Sequence, residues 1–322
     1  METKYPIFFS VFTVVGSLTD LSSLDFSCKN IKCLNLANPE LKKISDTYQP
    51  INEEIHSLYE TIIRGTEKIV DEQKYIHVLL PLNFLRPPVG ADYMDCINVI
   101  KLIYPSDIQY CSIAVFSLHE DQQVEWMASN TYNFYPSGSD RYDNYLCYPF
   151  EKDIDQVNKF IQLHFERVNN LRYVQVALDA YLTSFNDMPN HMAFMSLCMS
   201  LETVVDGTAE LMYRIARSVA LICADNQLYG RRIFDNVNMI YGLRSKIVHG
   251  GAIKNEFVDK YLPYLRSLVS RMITQLIYLN QPVIELQKSL LFADFSIRNT
   301  LFGDQKNILN TFTYTDTLKS LK

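Results

Sequence analysis

The chain has 322 residues, of which 48% are hydrophobic and 20% charged, and its formal net charge is -6. A single hydrophobic core tends to divide beyond about 250 residues, so two domains are expected. The acidic balance argues against indiscriminate binding to nucleic-acid phosphates, although a basic surface can still lie within one part of an acidic chain.

The cysteines and the apolar segments indicate where in the cell the protein is expected. Seven cysteines, an odd number with no CxxC pair, indicate neither a disulfide framework nor a zinc knuckle. The apolar run Pro6–Val15 fits a strand better than a signal peptide. No segment approaches about 18 uninterrupted apolar residues, so no membrane partner is expected. A cytoplasmic location is the expectation.

The first half, residues 1–150, is expected to be a mixed α/β domain. A helix is predicted over Ile51–Gln73, where apolar residues recur at near-helical spacing. The tyrosine-, asparagine- and proline-rich segment 130–150 shows no helical period, and the domain boundary is placed there. Strands are predicted where β-branched and aromatic residues run together, at Phe8–Val15, Tyr75–Leu82 and Cys111–Leu118.

The second half, residues 151–322, is expected to be an all-α domain with a C-terminal extension. Five or six helical patterns follow one another from Asp153 onward, and short breaks join them as in an up-and-down bundle. The fold class is therefore α+β. The breaks are predicted at 169–170, 186–190, 206–207, 225–230 and 250–251.

A charged residue lies on an apolar helix of this half. The predicted helix Met192–Val205 is apolar on nearly every side, and Glu202 is its only charged residue. A buried carboxylate needs a partner, because leaving it unpaired in a dry core would cost several kcal/mol. Arg217 on the next helix, 210–224, is one candidate partner, and an arginine further along the chain is another.

That second arginine is Arg244, on a predicted helix over 231–249. It continues an apolar stripe formed by Ile233, Val237 and Ile240. Its guanidinium is permanently charged and suits two-point contact with a carboxylate or a phosphate. His249 follows five residues later, in the predicted last turn before the helix-stopping pair at 250–251. Arg244 and His249 are the residues on which a functional interpretation depends.

The segment Tyr241–Gly251 resembles the Arg-polar-x3-His motif of HEPN domains, particularly the Apea-like branch. Two further elements occur in the family's order: Ser200-Leu-Glu202, similar to a buried "ALE" element, and Ile215-Ala-Arg217. The resemblance covers about residues 153–281. It does not reach most of the first half.

The resemblance implies a metal-independent endoribonuclease with no cofactor, acting as a homodimer through the helical domain. Arg244 would bind the scissile RNA phosphate, and His249 would be the general acid or base for attack by the 2′-hydroxyl. Ser245 occupies the motif's polar position, and Glu202 would orient Arg244 or belong to the site itself. Family context further implies a prokaryotic defence or toxin effector, with a sensing or regulatory role, and a regulatory partner, for the first domain.

The charge distribution agrees with an RNA partner. Residues 210–275 hold ten Lys or Arg against five Asp or Glu, so this stretch is basic within an acidic chain. Phosphate contacts are expected from residues of this stretch: Lys246, Arg217, Lys254, Arg231 and Arg232. The other five histidines show no metal-ligand spacing, and there is no phosphate-binding glycine loop, so no metal or nucleotide cofactor is expected.

Other interpretations remain open at this level. A histidine before two glycines is more often a helix cap than a catalyst, and an inward Glu and Arg are more often a structural pair than an active site. The helical domain could thus be a non-catalytic HEPN module that binds nucleotide or RNA, or dimerises. A third alternative places the main activity in residues 1–150.

Overall fold

A computed structural model describes residues 6–15, 20–64, 76–105, 108–131, 154–186, 188–205, 210–224, 226–250 and 255–293. The chain divides into two compact units, Met1–Gln162 and Leu163–Lys322. The first contains an antiparallel sheet with helices, and the described part of the second is helical. The α+β class predicted from the sequence is confirmed.

The first unit is built on a sheet of six strands in the order β2-β3-β4-β1-β5-β6, with every neighbouring pair antiparallel. Strands β1, β4 and β5 at its centre are the three predicted ones, displaced by at most two residues at either end. Strands β2, β3 and β6 were not predicted. The strands are β1 Ile7–Val15, β2 Asp25–Phe26, β3 Ile31–Asn35, β4 Ile76–Pro81, β5 Gln109–Leu118 and β6 Val124–Thr131.

Three helices accompany this sheet within the described residues: α1 Pro39–Thr47, α2 Gln49–Arg64 and α3 Gly90–Ile103. The helix predicted over Ile51–Gln73 is confirmed as far as Arg64, with its start at Gln49, two residues earlier than predicted, and α1 was not predicted. The Asn38 side chain caps α1 by accepting a hydrogen bond from the Glu40 amide at 2.9 Å. The remainder of the prediction, beyond Arg64, lies outside the described residues.

Both faces of the central strands are covered. On one face, α1 and α2 contribute Leu41, Ile51 and Ile55 to a core that includes Phe9 and Phe116. On the other, the α3 residue Tyr93 stacks on Phe12 with ring centroids 4.5 Å apart, and its hydroxyl donates to the Ser10 carbonyl at 2.6 Å. Because helices cover both faces, every residue of β4 is buried rather than every second one.

The second unit is helical throughout its described part. The division between the two units falls within α4. Six helices follow it among the described residues, which gives seven where five or six were predicted. Their bounds are α4 Ile154–Arg167, α5 Arg172–Thr183, α6 Asn190–Glu202, α7 Leu211–Cys223, α8 Gln227–Val248, α9 Asn255–Leu279 and α10 Val283–Phe292.

The predicted break at 225–230 is wrong in its extent. The Asn226 side chain accepts a hydrogen bond from the Tyr229 amide at 3.0 Å and caps α8, so the residues from Gln227 onward are already helical. At the other end, Gly250 follows with φ of 70°, a left-handed conformation that suits glycine and terminates the helix as predicted.

The most buried helix is α9, which the sequence analysis did not single out. It packs against α5, α6 and α7, and Arg266 and Arg271 on it are 6% and 1% exposed. Arg266 donates to the hydroxyl and the carbonyl of Ser184, and its guanidinium lies 4.3 Å from the Phe185 ring centre. The deepest cations of this unit are therefore not Arg217 and Arg244. No helix in the described ranges is long and apolar enough to cross a membrane.

Candidate functional site

An ion pair joins the ends of two packed helices. Glu202 is the last residue of α6, and Arg244 lies in the last two turns of α8, with Nη2 2.8 Å from Glu202 Oε1. The arginine and glutamate side chains are 28% and 27% exposed. Of the two partners that the sequence left open for Glu202, the structure pairs it with Arg244 and not with Arg217.

Tyr241 contacts both members of this ion pair. Its hydroxyl is 3.0 Å from the Cys198 carbonyl and 3.3 Å from Glu202 Oε1, so its one proton serves two acceptors. Burial raises the pKa of this hydroxyl well above its usual range, with the Cys198 thiol and the Glu202 carboxylate adding to the effect, so it remains a donor at neutral pH. The ring centre lies 5.8 Å from the Arg244 guanidinium carbon.

Tyr241 belongs to the segment that resembles the HEPN motif, but no role was predicted for it. One signal could have found it, because a residue three positions before Arg244 lies on the same helix face. Its two acceptors could not have been found that way, since Cys198 and Glu202 belong to a different helix. We call Glu202, Tyr241 and Arg244 the carboxylate–arginine cluster.

The Arg244 guanidinium is held on one side and partly open on the other. Nη2 is bound by Glu202, and Nε is shielded from solvent without a hydrogen bond among the described residues. A guanidinium has five N–H donors, and more than a quarter of the side chain remains accessible. The cation is thus fixed in position while part of its donor set can still reach a ligand.

His249 lies at the end of the same helix. It is the C-cap of α8, its side chain is exposed, and its amide donates to the Ser245 carbonyl at 3.1 Å. Ser245 and Lys246 are also exposed. In the described part of the chain, no hydrogen bond or ion pair joins the His249 side chain to Arg244 or Glu202. Five residues on an ideal helix separate two side chains by about 140°, so one copy of α8 presents Arg244 and His249 in different directions.

Arg217 contacts the C-terminal end of α10 and not the Glu202–Arg244 pair. Its Nη1 donates to the Leu290 carbonyl and its Nη2 to the Ala293 carbonyl, both at 2.5 Å, at the C-terminal end of α10. The interpretation of Arg217 as the partner of Glu202 is therefore wrong, and two of its donors are already occupied by backbone oxygens.

The remaining predicted phosphate contacts are only partly described. Arg231 is exposed, and the Arg232 guanidinium lies 5.7 Å from the Tyr229 ring centre. Lys254 lies outside the described residues. The structure therefore brings Glu202, Tyr241 and Arg244 together, and leaves His249, Ser245 and Lys246 exposed along the end of α8.

The end of α8 carries a fixed cation and, five residues further along the chain, an exposed imidazole. A guanidinium can bind a phosphate, and an imidazole can act as a general acid or base. Among the residues that the structure describes, no group of three His, Cys, Asp or Glu side chains is placed to hold a metal ion. The chain matches no family model, no curated protein and no solved structure.

Proposed function

We propose that the helical unit is a metal-independent endoribonuclease of HEPN type, in which Arg244 and His249 act on an RNA phosphodiester. The observation that carries the proposal is the carboxylate–arginine cluster. It holds a guanidinium whose side chain is 28% exposed within the last two turns of the helix that ends next to the exposed His249. The resemblance of segment 241–251 to the HEPN motif supplies the reaction class.

The reaction requires no metal ion or cofactor. The ribose 2′-oxygen attacks the adjacent phosphorus, the bond from phosphorus to the 5′-oxygen breaks, and a 2′,3′-cyclic phosphate remains. His249 removes the proton from the 2′-hydroxyl or delivers one to the leaving 5′-oxygen, and solvent water exchanges the other proton. Arg244 contacts the phosphate oxygens and stabilises the charge that develops on them, while exposed Ser245 and Lys246 lie on the strand's path along α8.

Two copies of the chain are part of the proposal. Because a spacing of five residues would separate Arg244 and His249 by about 140° on an ideal helix, a cleft that uses both is formed most simply when α8 of a second copy faces the first. The RNA then lies between the two helices, and each phosphate meets the arginine and the histidine from different copies. A role in defence or toxicity, with the first unit as regulator, completes the proposal.

A second candidate function is a HEPN module that binds without cleaving. It is favoured by the Glu202–Arg244 ion pair, which already provides Arg244 with a counter-charge at 2.8 Å. It is also favoured by the position of His249 at a helix end, where the residue has a structural use as a cap. In that case both residues are retained for stability or dimerisation.

The test is RNA cleavage by the purified full chain in buffer containing EDTA, compared among the wild type, Arg244→Ala and His249→Ala. We expect cleavage products with 2′,3′-cyclic phosphate ends from the wild type only, with a rate loss of about a hundredfold or more in each variant. His191→Ala and Arg172→Ala are matched controls, because both residues are exposed in the same unit and lie outside the motif.

The outcome separates the two candidates. Loss of cleavage in both motif variants, with unchanged dimer mass and unfolding temperature, supports catalysis. Cleavage that persists in His249→Ala shows a contaminating ribonuclease or a different site, and refutes the assignment. Unfolding or dissociation of both variants, with no cleavage by the wild type, favours the non-catalytic module.

A further inference from the structure

A cleft of about 370 Å³ lies in the helical unit, and no residue of the carboxylate–arginine cluster lines it. Its walls come from Val204 and Val205 after α6, from the first two turns of α7 and from α10. The α7 residues include Arg214 and Arg217, so two guanidinium groups line one small space. None of the residues discussed above as catalytic lines it.

Neither of these two arginines forms an ion pair with a described carboxylate. Arg217 is held by the carbonyl oxygens of Leu290 and Ala293, which fix its position but carry no net charge. Arg214 is half-buried and makes no ion pair or side-chain hydrogen bond in the described part of the chain. Arg244 differs, because Glu202 is its counter-ion. The lining of the cleft holds these two arginines and one carboxylate, that of Glu210, so its net charge is positive and favours an anion.

The remaining lining sets the size and shape of that anion. Val205, Leu290 and Tyr213 provide apolar and aromatic surface, and the volume is at the lower end of that of small-molecule sites. Glu210 is exposed at the cleft, where its carboxylate can accept hydrogen bonds from hydroxyl groups. A free inorganic anion would leave the apolar surface unused.

We infer that this cleft binds a phosphate monoester with a flat apolar body, about the size of a nucleoside monophosphate. The planar donor forks of Arg214 and Arg217 would contact the phosphate oxygens at two points each, the geometry in which arginine binds phosphate best. Arg217 is pre-organised for this contact, because the Leu290 and Ala293 carbonyls fix its guanidinium. They use two of its five N–H donors, so three remain that do not bind α10. The ring of the ligand packs against Tyr213 and Val205, and its hydroxyl groups face Glu210.

The test is isothermal titration calorimetry of the full chain with three probes: AMP, inorganic phosphate and adenosine. We expect AMP to bind more tightly than either fragment. Arg214→Ala should weaken AMP binding by about tenfold or more, as expected for the loss of a charge-assisted contact. Gln287→Trp, which adds bulk at the cleft wall, should also weaken it, whereas Arg172→Ala, an exposed arginine elsewhere in this unit, should not.

Several results overturn the inference. If the wild type binds none of the probes, the cleft has no such ligand. If phosphate binds as tightly as AMP, the apolar walls do not contribute to binding. If adenosine binds as tightly as AMP, the two arginines do not contribute. If Arg244→Ala loses AMP binding while Arg214→Ala retains it, the ligand binds at the carboxylate–arginine cluster instead. Thermal unfolding of each variant distinguishes a lost site from a lost fold.

Discussion

The ion pair between Glu202 and Arg244 makes a quantitative prediction about stability. Exposed ion pairs contribute about 0.2–1 kcal/mol, and breaking a buried one costs about 3–5 kcal/mol. Both side chains here are about a quarter exposed and the contact is 2.8 Å, so the pair lies between these limits. A double-mutant cycle of Glu202→Gln and Arg244→Met should yield a coupling free energy of about 1–2 kcal/mol.

Urea unfolding followed by far-ultraviolet circular dichroism measures this coupling. The chain has a single tryptophan, Trp126 on β6 of the first unit, so its fluorescence serves as an internal control. We expect the dichroism transition to move to lower urea and the fluorescence transition to remain in place. Glu40→Gln is a control for an exposed ion pair, because Glu40 pairs with Lys32 in the first unit and is 54% exposed. It should shift the fluorescence midpoint by less than Glu202→Gln shifts the dichroism midpoint.

A coupling free energy near zero would refute this reasoning. So would a coupling that disappears in 1 M salt, since screening of that strength is expected for an exposed pair and not for one that is three-quarters buried. Tyr241→Phe provides an independent check on the cluster. It removes the hydroxyl donor to Glu202 and the Cys198 carbonyl and should cost about 1 kcal/mol.

Two further predictions concern groups outside the cluster, His77 and Arg217. Burial lowers the pKa of His77 from 6.5 to about 4, against a weaker opposing effect of Asp20. Between pH 6.5 and 4, His77 is therefore protonated in the unfolded chain but not in the folded one. The first unit should lose up to about 3 kcal/mol of stability as the pH falls through this range. Urea titrations followed by Trp126 fluorescence should show this slope, and an equal slope in His77→Gln would contradict it. Arg217→Ala should destabilise the helical unit by about 2–3 kcal/mol, because two carbonyls of α10 lose a charged donor; a shift in unfolding temperature no larger than that of Arg172→Ala would show that these bonds contribute little.

Local pattern was sufficient for much of the fold. The central strands β1, β4 and β5 were located because runs of β-branched and aromatic residues mark strands that are buried on both faces. Strands β2 and β3 were missed because they have only two and five residues, too short for a period to be recognised. Strand β6 was missed because, as an edge strand, it exposes polar and apolar residues alike.

The buried stripe of α8 and the position where α8 ends were also predicted from the sequence. Ile233, Val237 and Ile240 are fully buried, and Arg244 continues their face at 28% exposure. Gly250 adopts the left-handed conformation that ends α8 next to His249. Both features depend on the helical repeat and on backbone sterics, which residue identity and spacing express directly.

Only the tertiary structure decided which charged groups meet. The sequence offered Arg217 and Arg244 equally as partners of Glu202, and the packing of α6 against α8 selected Arg244. Arg217 instead reached two carbonyls of α10, and with Arg214 it came to line a cleft that no spacing could indicate. An ion pair or hydrogen bond requires atoms within about 3 Å, and helix spacing specifies the face on which a side chain lies but not which distant helix packs there.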